Sequence, residues 1–205
     1  MRSFIRVQID FATFKPTNDY LVSLPQLKSK LFMNHSPSPE EWLNREDVVC
    51  HQDRLDRLHW LTEQTPNAES WSFPGGLISK FLFEEARYCF VYGQFLATIV
   101  LGLSYIEHTL AALFYASGRD DLERAGIAVL LRESLNTGLI NHSEFDDLNH
   151  AREIRNPVTH FRRPLFDDTV EYRAVEQNEL PYSVIEQDAF HVMTMALRLL
   201  DKNTI

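Results

Sequence analysis

Apolar positions along most of the chain recur every three or four residues, the spacing of one face of an α-helix. The stretch "SPEEWLNREDVVCHQDRLDRLHWLTEQ", residues 38 to 64, begins the pattern. Ser38, Pro39 and Glu41 stand at the N-cap, N1 and N3 positions of a capping box. "PGG" at 74 to 76 punctuates, and a long apolar helix is predicted from about Leu77 to Ser117, stopped by Gly118. A further helix is predicted from about Asp120 to Asn136, with Gly138 as its C′ residue. "NHSEFDDLNHAREIR" starts the next after a very short connection, so these two are expected as antiparallel neighbours. In the last helix, "SVIEQDAFHVMTMALRLL", Ser183 and Glu186 read as a second capping box. Its apolar stripe is Phe190, Met193, Leu197 and Leu200.

One stretch carries a period of two instead. Residues 4 to 11, "FIRVQIDF", alternate Ile5, Val7 and Ile9 with Arg6, Gln8 and Asp10, which predicts a short strand. "TVEYRAV", 169 to 175, is its candidate partner. The expected fold class is all-α: an antiparallel helical bundle of about five helices with one long central helix, plus a minor two-stranded β element. The expected division is an N-terminal strand and helical extension over 1–75 and a helical bundle over 76–205.

The 205 residues suit one domain with an appended segment, and 44% hydrophobic with 24% charged residues marks a folded chain. Cys50 and Cys89 are too few for a disulfide framework and fit a reducing compartment. "MRSFIRVQIDF" has an Asp by position 10 and no apolar core, so it does not read as a signal peptide. The expected location is cytoplasmic. The run "YCFVYGQFLATIVLGLSYI", 88 to 106, holds no charge and is just long enough to span a bilayer. Without a Lys/Arg cluster at either end it reads as a buried core helix, so no membrane partner is expected.

The formal charge is −9, which argues against a broadly basic nucleic-acid surface. Against that background residues 150 to 163 hold four Arg and one Glu, with His150 and His160. Arginine's fork matches phosphate oxygens, histidine exchanges a proton near neutrality, and asparagine holds a neighbour in place. Those types together suit RNA cleavage without a metal. The reaction needs a base for the ribose 2′-hydroxyl, positive charge for the phosphorane and an acid for the 5′-oxygen. His160 is the candidate acid or base, Arg155 the phosphate stabiliser and Asn156 the orienting group.

"RNPVTH", Arg155 to His160, resembles the motif of HEPN (higher eukaryote and prokaryote nucleotide-binding) domains, an Arg followed by a polar residue and then a His. The resemblance covers roughly residues 77 to 203. It implies a helical bundle, metal-independent ribonuclease activity of the toxin–antitoxin or defence kind, and a homodimer whose two motifs face one cleft. It also implies RNA as substrate, an antitoxin or regulatory protein as partner, and no cofactor. Arg155, Asn156 and His160 would be catalytic, with Arg152, Arg162, Arg163 and Glu107 at the substrate. Glu107, in "SYIEHTL", stands for the polar or acidic residue that the family often has on the preceding long helix. Some family members continue as His-x-Tyr, and a partner nucleotidyltransferase modifies that Tyr; position 162 here is Arg. Two looser Arg-to-His spacings, Arg45 to His51 and Arg54 to His59, have no Asn after the Arg.

A different reading keeps the fold but makes it a non-catalytic module that binds a nucleotide or a protein. Another is a metal-binding bundle. His142, Asp146 and His150 lie at i, i+4 and i+8, and "DLNH" and "DAFH" are Asp-x-x-His steps on two helices. Those acids are Asp where di-iron bundles use Glu, so no metal ligands are assigned. The aromatics, including 14 Phe, fall at helical spacing and read as core.

Overall fold

The computed structural model describes residues 37–163 and 166–203, and among them every regular element is a helix. Contacts divide the chain into two compact units, residues 1–45 and 46–205. The described part of the first unit opens α1 (Pro39–Val49). There the expected box forms: Ser38 Oγ accepts the Glu41 N–H at 3.2 Å, and the Glu41 carboxylate accepts the Ser38 N–H at 2.8 Å. The predicted strand at 4–11 lies outside the described residues.

In the second unit Cys50 interrupts the helical repeat before α2 (His51–Gln64), so the stretch from Ser38 to Gln64 is two helices. The long apolar helix is also two, α3 (Gly76–Val91) and α4 (Phe95–Ala116). Gly93 adopts φ +73°, a left-handed conformation that glycine enters without steric cost, and Gln94 N–H closes on the Cys89 carbonyl at 2.8 Å. The chain then turns back on itself. Ser79 meets Thr109 at 3.0 Å, and the Phe83 and Tyr105 rings lie 5.1 Å apart, which is an antiparallel hairpin. The apolar run 88–106 therefore straddles a turn and is no single helix. α4 remains long and apolar enough to cross a membrane by length and composition, and it buries ten residues within the bundle.

α4 is the axis of the second unit, packed by α3, α5 (Ile127–Asn136), α6 (His142–Thr159) and α8 (Pro181–Asp201). Ile99, Leu103, Ile106 and Leu110 form its fully buried seam. Gly102 lets α8 approach closely: a Cβ there would stand 2.7 Å from Val192 Cγ1. α2 adds Leu61 to the core and sets Trp60 against Phe90 and Phe190, at ring distances of 5.2 and 4.8 Å.

Other boundaries differ from the sequence reading. The stretch predicted as one helix from Asp120 is a short 3-10 turn (Asp120–Leu122) followed by α5, which ends with Gly138 at φ +74° as expected. Residues 169–175 are no strand; they open α7 (Val170–Gln177). The Thr169 side chain caps it by accepting the Tyr172 N–H, and Ala174 is its buried residue. α8 starts before Ser183, because Pro181 takes the first helical position and supplies no N–H that would need a cap. Glu186 turns instead to Arg57, at 3.4 Å. Met193, Leu197 and Leu200 are buried as expected, with Phe190 partly so.

Candidate functional site

The basic stretch occupies the last turns of α6 and the segment beyond it. α6 begins with a full capping box, Asn141 with Glu144, and buries Leu148, Ala151 and Ile154 toward the core. Positions 152 and 155–156 flank that buried stripe, so the fold places Arg152, Arg155 and Asn156 half-buried at its edge. Pro157 disfavours helix at the residue before it, yet it does not end α6, which runs on to Thr159. The physical reason is position. A proline this close to a C-terminus removes one ladder bond to a carbonyl in the helix's last turns, where carbonyls already begin to lose partners. The last turn is closed by the His160 N–H donating to the Asn156 carbonyl at 2.9 Å and by Thr159 Oγ1 donating to the Arg155 carbonyl at 3.2 Å.

His160 is the first residue outside the helix, with extended backbone and an exposed side chain. Phe161 beside it is 89% exposed. Arg155 points to the neighbouring helix, where its guanidinium meets the Glu107 carboxylate of α4 at 3.7 Å. So the structure brings Arg155 and Glu107 together. Arg155 and His160 are five positions apart, Arg155 inside the helix and turned to Glu107, His160 beyond its end on extended backbone. Among the described residues no hydrogen bond or ion pair joins the two.

Arg152 and Arg162 are held by local partners. Arg152 donates to Asn149 at 2.9 Å and lies 3.4 Å from Glu153. Arg162 pairs with Asp168 at 2.9 Å. Arg163 is exposed. Asp168 leads into a second charged pair that sequence reasoning missed. Arg173 of α7 forms two hydrogen bonds, of 2.8 and 2.5 Å, to Asp188 of α8, whose carboxylate is almost wholly buried. This pair ties α7 to α8 immediately after the basic segment. The only sequence sign of it was an Asp on the apolar side of the last helix.

The metal reading finds no geometry. Among the described residues no three His, Cys, Asp or Glu side chains come together as a metal would require. His150 and His191 do meet, at 4.9 Å between ring centres, but His191 Nε2 is engaged by the Asp147 carbonyl at 2.9 Å. The Asp147 carboxylate goes to Arg198 at 2.8 Å, and Asp188 goes to Arg173. Of the looser Arg-to-His spacings, Arg54 is committed elsewhere, to Asp47 at 2.9 Å and to the face of Tyr92 at 4.6 Å. Compared with known protein families, with curated proteins and with solved structures, the chain matches none.

Proposed function

We propose that the chain is a metal-independent endoribonuclease of HEPN type, a cytoplasmic toxin or defence effector that acts as a homodimer. The observation that carries the reading is the end of α6: an exposed His160 one residue beyond the helix, with Arg155 five residues back and steadied by Glu107 at 3.7 Å. A base removes the ribose 2′-proton, the 2′-oxygen attacks phosphorus, and the bond to the 5′-oxygen breaks as an acid protonates that oxygen. The products are a cyclic phosphate and a 5′-hydroxyl. Arg155 offsets charge on the phosphorane, and Asn156 orients the phosphate or the histidine. Arg152, Arg162 and Arg163 lie along the same stretch to hold the RNA backbone. With α6 continuing through Pro157 and one motif His per chain, the facing motif of a second subunit supplies the missing acid or base.

One specific observation favours a second reading, a non-catalytic module of the same fold. Three of the four arginines in the stretch already have an acidic side chain within reach: Arg152 with Glu153, Arg155 with Glu107 and Arg162 with Asp168. Cleavage of RNA in EDTA separates the two. Wild type is expected to cleave, and His160→Ala and Arg155→Ala are expected to lose activity. Equal behaviour of all three removes both residues as catalysts, and RNA or nucleotide binding without cleavage establishes the module.

A further inference from the structure

Beside its exposed Lys80, Glu84 and Glu85, α3 also turns out Leu77, Phe81 and Tyr88, and Tyr92 just past its end is exposed as well. The four apolar positions fall at i, i+4, i+11 and i+15, a stripe about 22 Å long at 1.5 Å per residue with Glu84 and Glu85 between Phe81 and Tyr88. Leu77 is 69% and Tyr88 59% exposed. Apolar area gathered in this way marks an interaction site more often than a scatter of single exposed residues does.

The C-terminal part of the stripe is pre-built. Tyr88 and Tyr92 stack at 4.4 Å with their planes 21° apart. Arg54 lies against Tyr92 at 4.6 Å and is itself fixed by Asp47. Arg54, Tyr92 and Tyr88 thus form one group, of which Tyr88 is the more exposed ring. Helical side chains lean toward the N-terminus, so Tyr88 leans toward the preceding turn. There Glu84, Glu85, Tyr88 and Cys89 line a shallow depression. Glu84 also pairs with the exposed Lys80 one turn back at 3.6 Å, which leaves the rim one net negative charge, carried by Glu85; an aromatic face beside it attracts a cation and disfavours phosphate. The tyrosine pair is therefore no platform for RNA bases. A small cation alone would also leave Leu77 and Phe81 uncovered.

We propose that the outer face of α3 docks a basic, amphipathic segment of another protein, with an arginine side chain laid on Tyr88 beside Glu84 and Glu85. The segment's apolar side covers Leu77 and Phe81. Its length is about four helical turns, the span of the stripe. The chain's overall negative charge adds long-range attraction for such a partner. This surface stands apart from the reading of α6, and a protein without ribonuclease activity would still possess it.

The test presents the full chain to a displayed library of random peptides of about 16 residues, a length set by the stripe. Enriched peptides are expected to carry arginine beside apolar residues at helical spacing. Their synthetic forms, measured by fluorescence anisotropy, should bind roughly tenfold or more weakly to Tyr88→Ala and to the double variant Glu84→Gln with Glu85→Gln. Tyr88→Phe, which keeps the ring, should restore binding, and added salt should weaken it. Tyr88 is exposed, so unchanged circular dichroism and melting temperature would show that these variants fold. Three outcomes overturn the proposal: no enrichment, enriched peptides lacking a cation, or affinities indifferent to Tyr88→Ala. Self-association of the wild type that is abolished by Tyr88→Ala also overturns it, since the face would then belong to a second copy.

Discussion

Glu107 of α4 and Arg155 of α6 face each other at 3.7 Å, both side chains partly exposed. At that distance and exposure the pair adds at most about 1 kcal/mol to stability. Its consequence is orientation: it holds the guanidinium at the side of α6 instead of leaving a long side chain free in solvent. In the proposed reaction Arg155→Ala should lower RNA cleavage by about 10²–10³-fold, the size of effect expected when a transition-state donor is lost. Glu107→Gln should lower it less, about tenfold, through lost orientation alone. The double variant should be no slower than Arg155→Ala. Additive losses in this cycle would show that Glu107 acts separately from Arg155.

His160 offers a cleaner separation of chemistry from folding. Its side chain is exposed, and only its backbone N–H closes the last turn of α6. His160→Ala should therefore change stability by no more than about 0.5 kcal/mol. Loss of general acid–base catalysis should cost about 10²–10⁴-fold in rate. Urea melts beside cleavage assays check both halves. A large loss of stability would reassign His160 as a structural residue.

What could be read beforehand, and what could not, follows from where the signal lay. Capping chemistry is local, so Ser38 with Glu41, and Gly138 after α5, were legible. The turn at Gly93 was not, because α3 and α4 bury apolar side chains on both sides of it and the hydrophobic run never breaks. "TVEYRAV" carries β-branched and aromatic residues that suit a strand. Its helix is secured by the Thr169 cap and by Arg173 reaching Asp188, which lies fifteen residues on. Glu186 looked like a capping residue until Arg57, far away in sequence, claimed it. At the candidate site the residue types, Glu107 among them, were legible, but the pairing of Glu107 with Arg155 came from the packing of α4 and α6, and that of Arg162 with Asp168 from the fold of the segment after α6. The path of α6 through Pro157 ran against the local preference for a break.

Asp188 carries the most deeply buried charge of the described ion pairs. Its two hydrogen bonds to Arg173 compensate its desolvation, and removing one partner leaves the other charge exposed to a low-dielectric surrounding. Asp188→Ala should destabilise the protein by about 3–5 kcal/mol. Replacing both residues with Arg173→Leu and Asp188→Leu should recover much of that loss, since no charge then stays buried. Chemical denaturation of the three proteins decides it, and a double variant as unstable as Asp188→Ala would mean that the pair supplies more than charge compensation.

The α4–α8 contact is set by the absence of a side chain at Gly102. A Cβ there would lie 2.7 Å from Val192 Cγ1, inside the closest approach that real side chains make. Alanine is otherwise the better helix former by about 1 kcal/mol. Overpacking should outweigh that gain, so Gly102→Ala is expected to destabilise by about 1–3 kcal/mol. Pairing it with Val192→Ala opens the space and should return part of the loss. A Gly102→Ala protein more stable than wild type would show that α8 gives way freely.

Tyr105 predicts a pH effect with a defined sign. Its ring is fully buried against Phe83 and Phe73, and its hydroxyl lies near Thr109, which is engaged with Ser79, without forming a well-aligned hydrogen bond to it. Burial pushes its pKa from 10.0 up to about 12, and nearby Thr109 offsets only part of that rise. A phenol whose folded pKa is raised keeps its full contribution below the unfolded value and loses it as pH climbs through the folded one. Stability should therefore fall between pH 10 and about 12, by on the order of 2–3 kcal/mol from this group. Tyr105→Phe removes both the titration and a buried hydroxyl that has no well-aligned partner. It should match or exceed wild-type stability at neutral pH and show a flatter alkaline limb. Denaturant melts of the two proteins across that range measure the difference, and parallel alkaline limbs would place the base sensitivity elsewhere in the bundle.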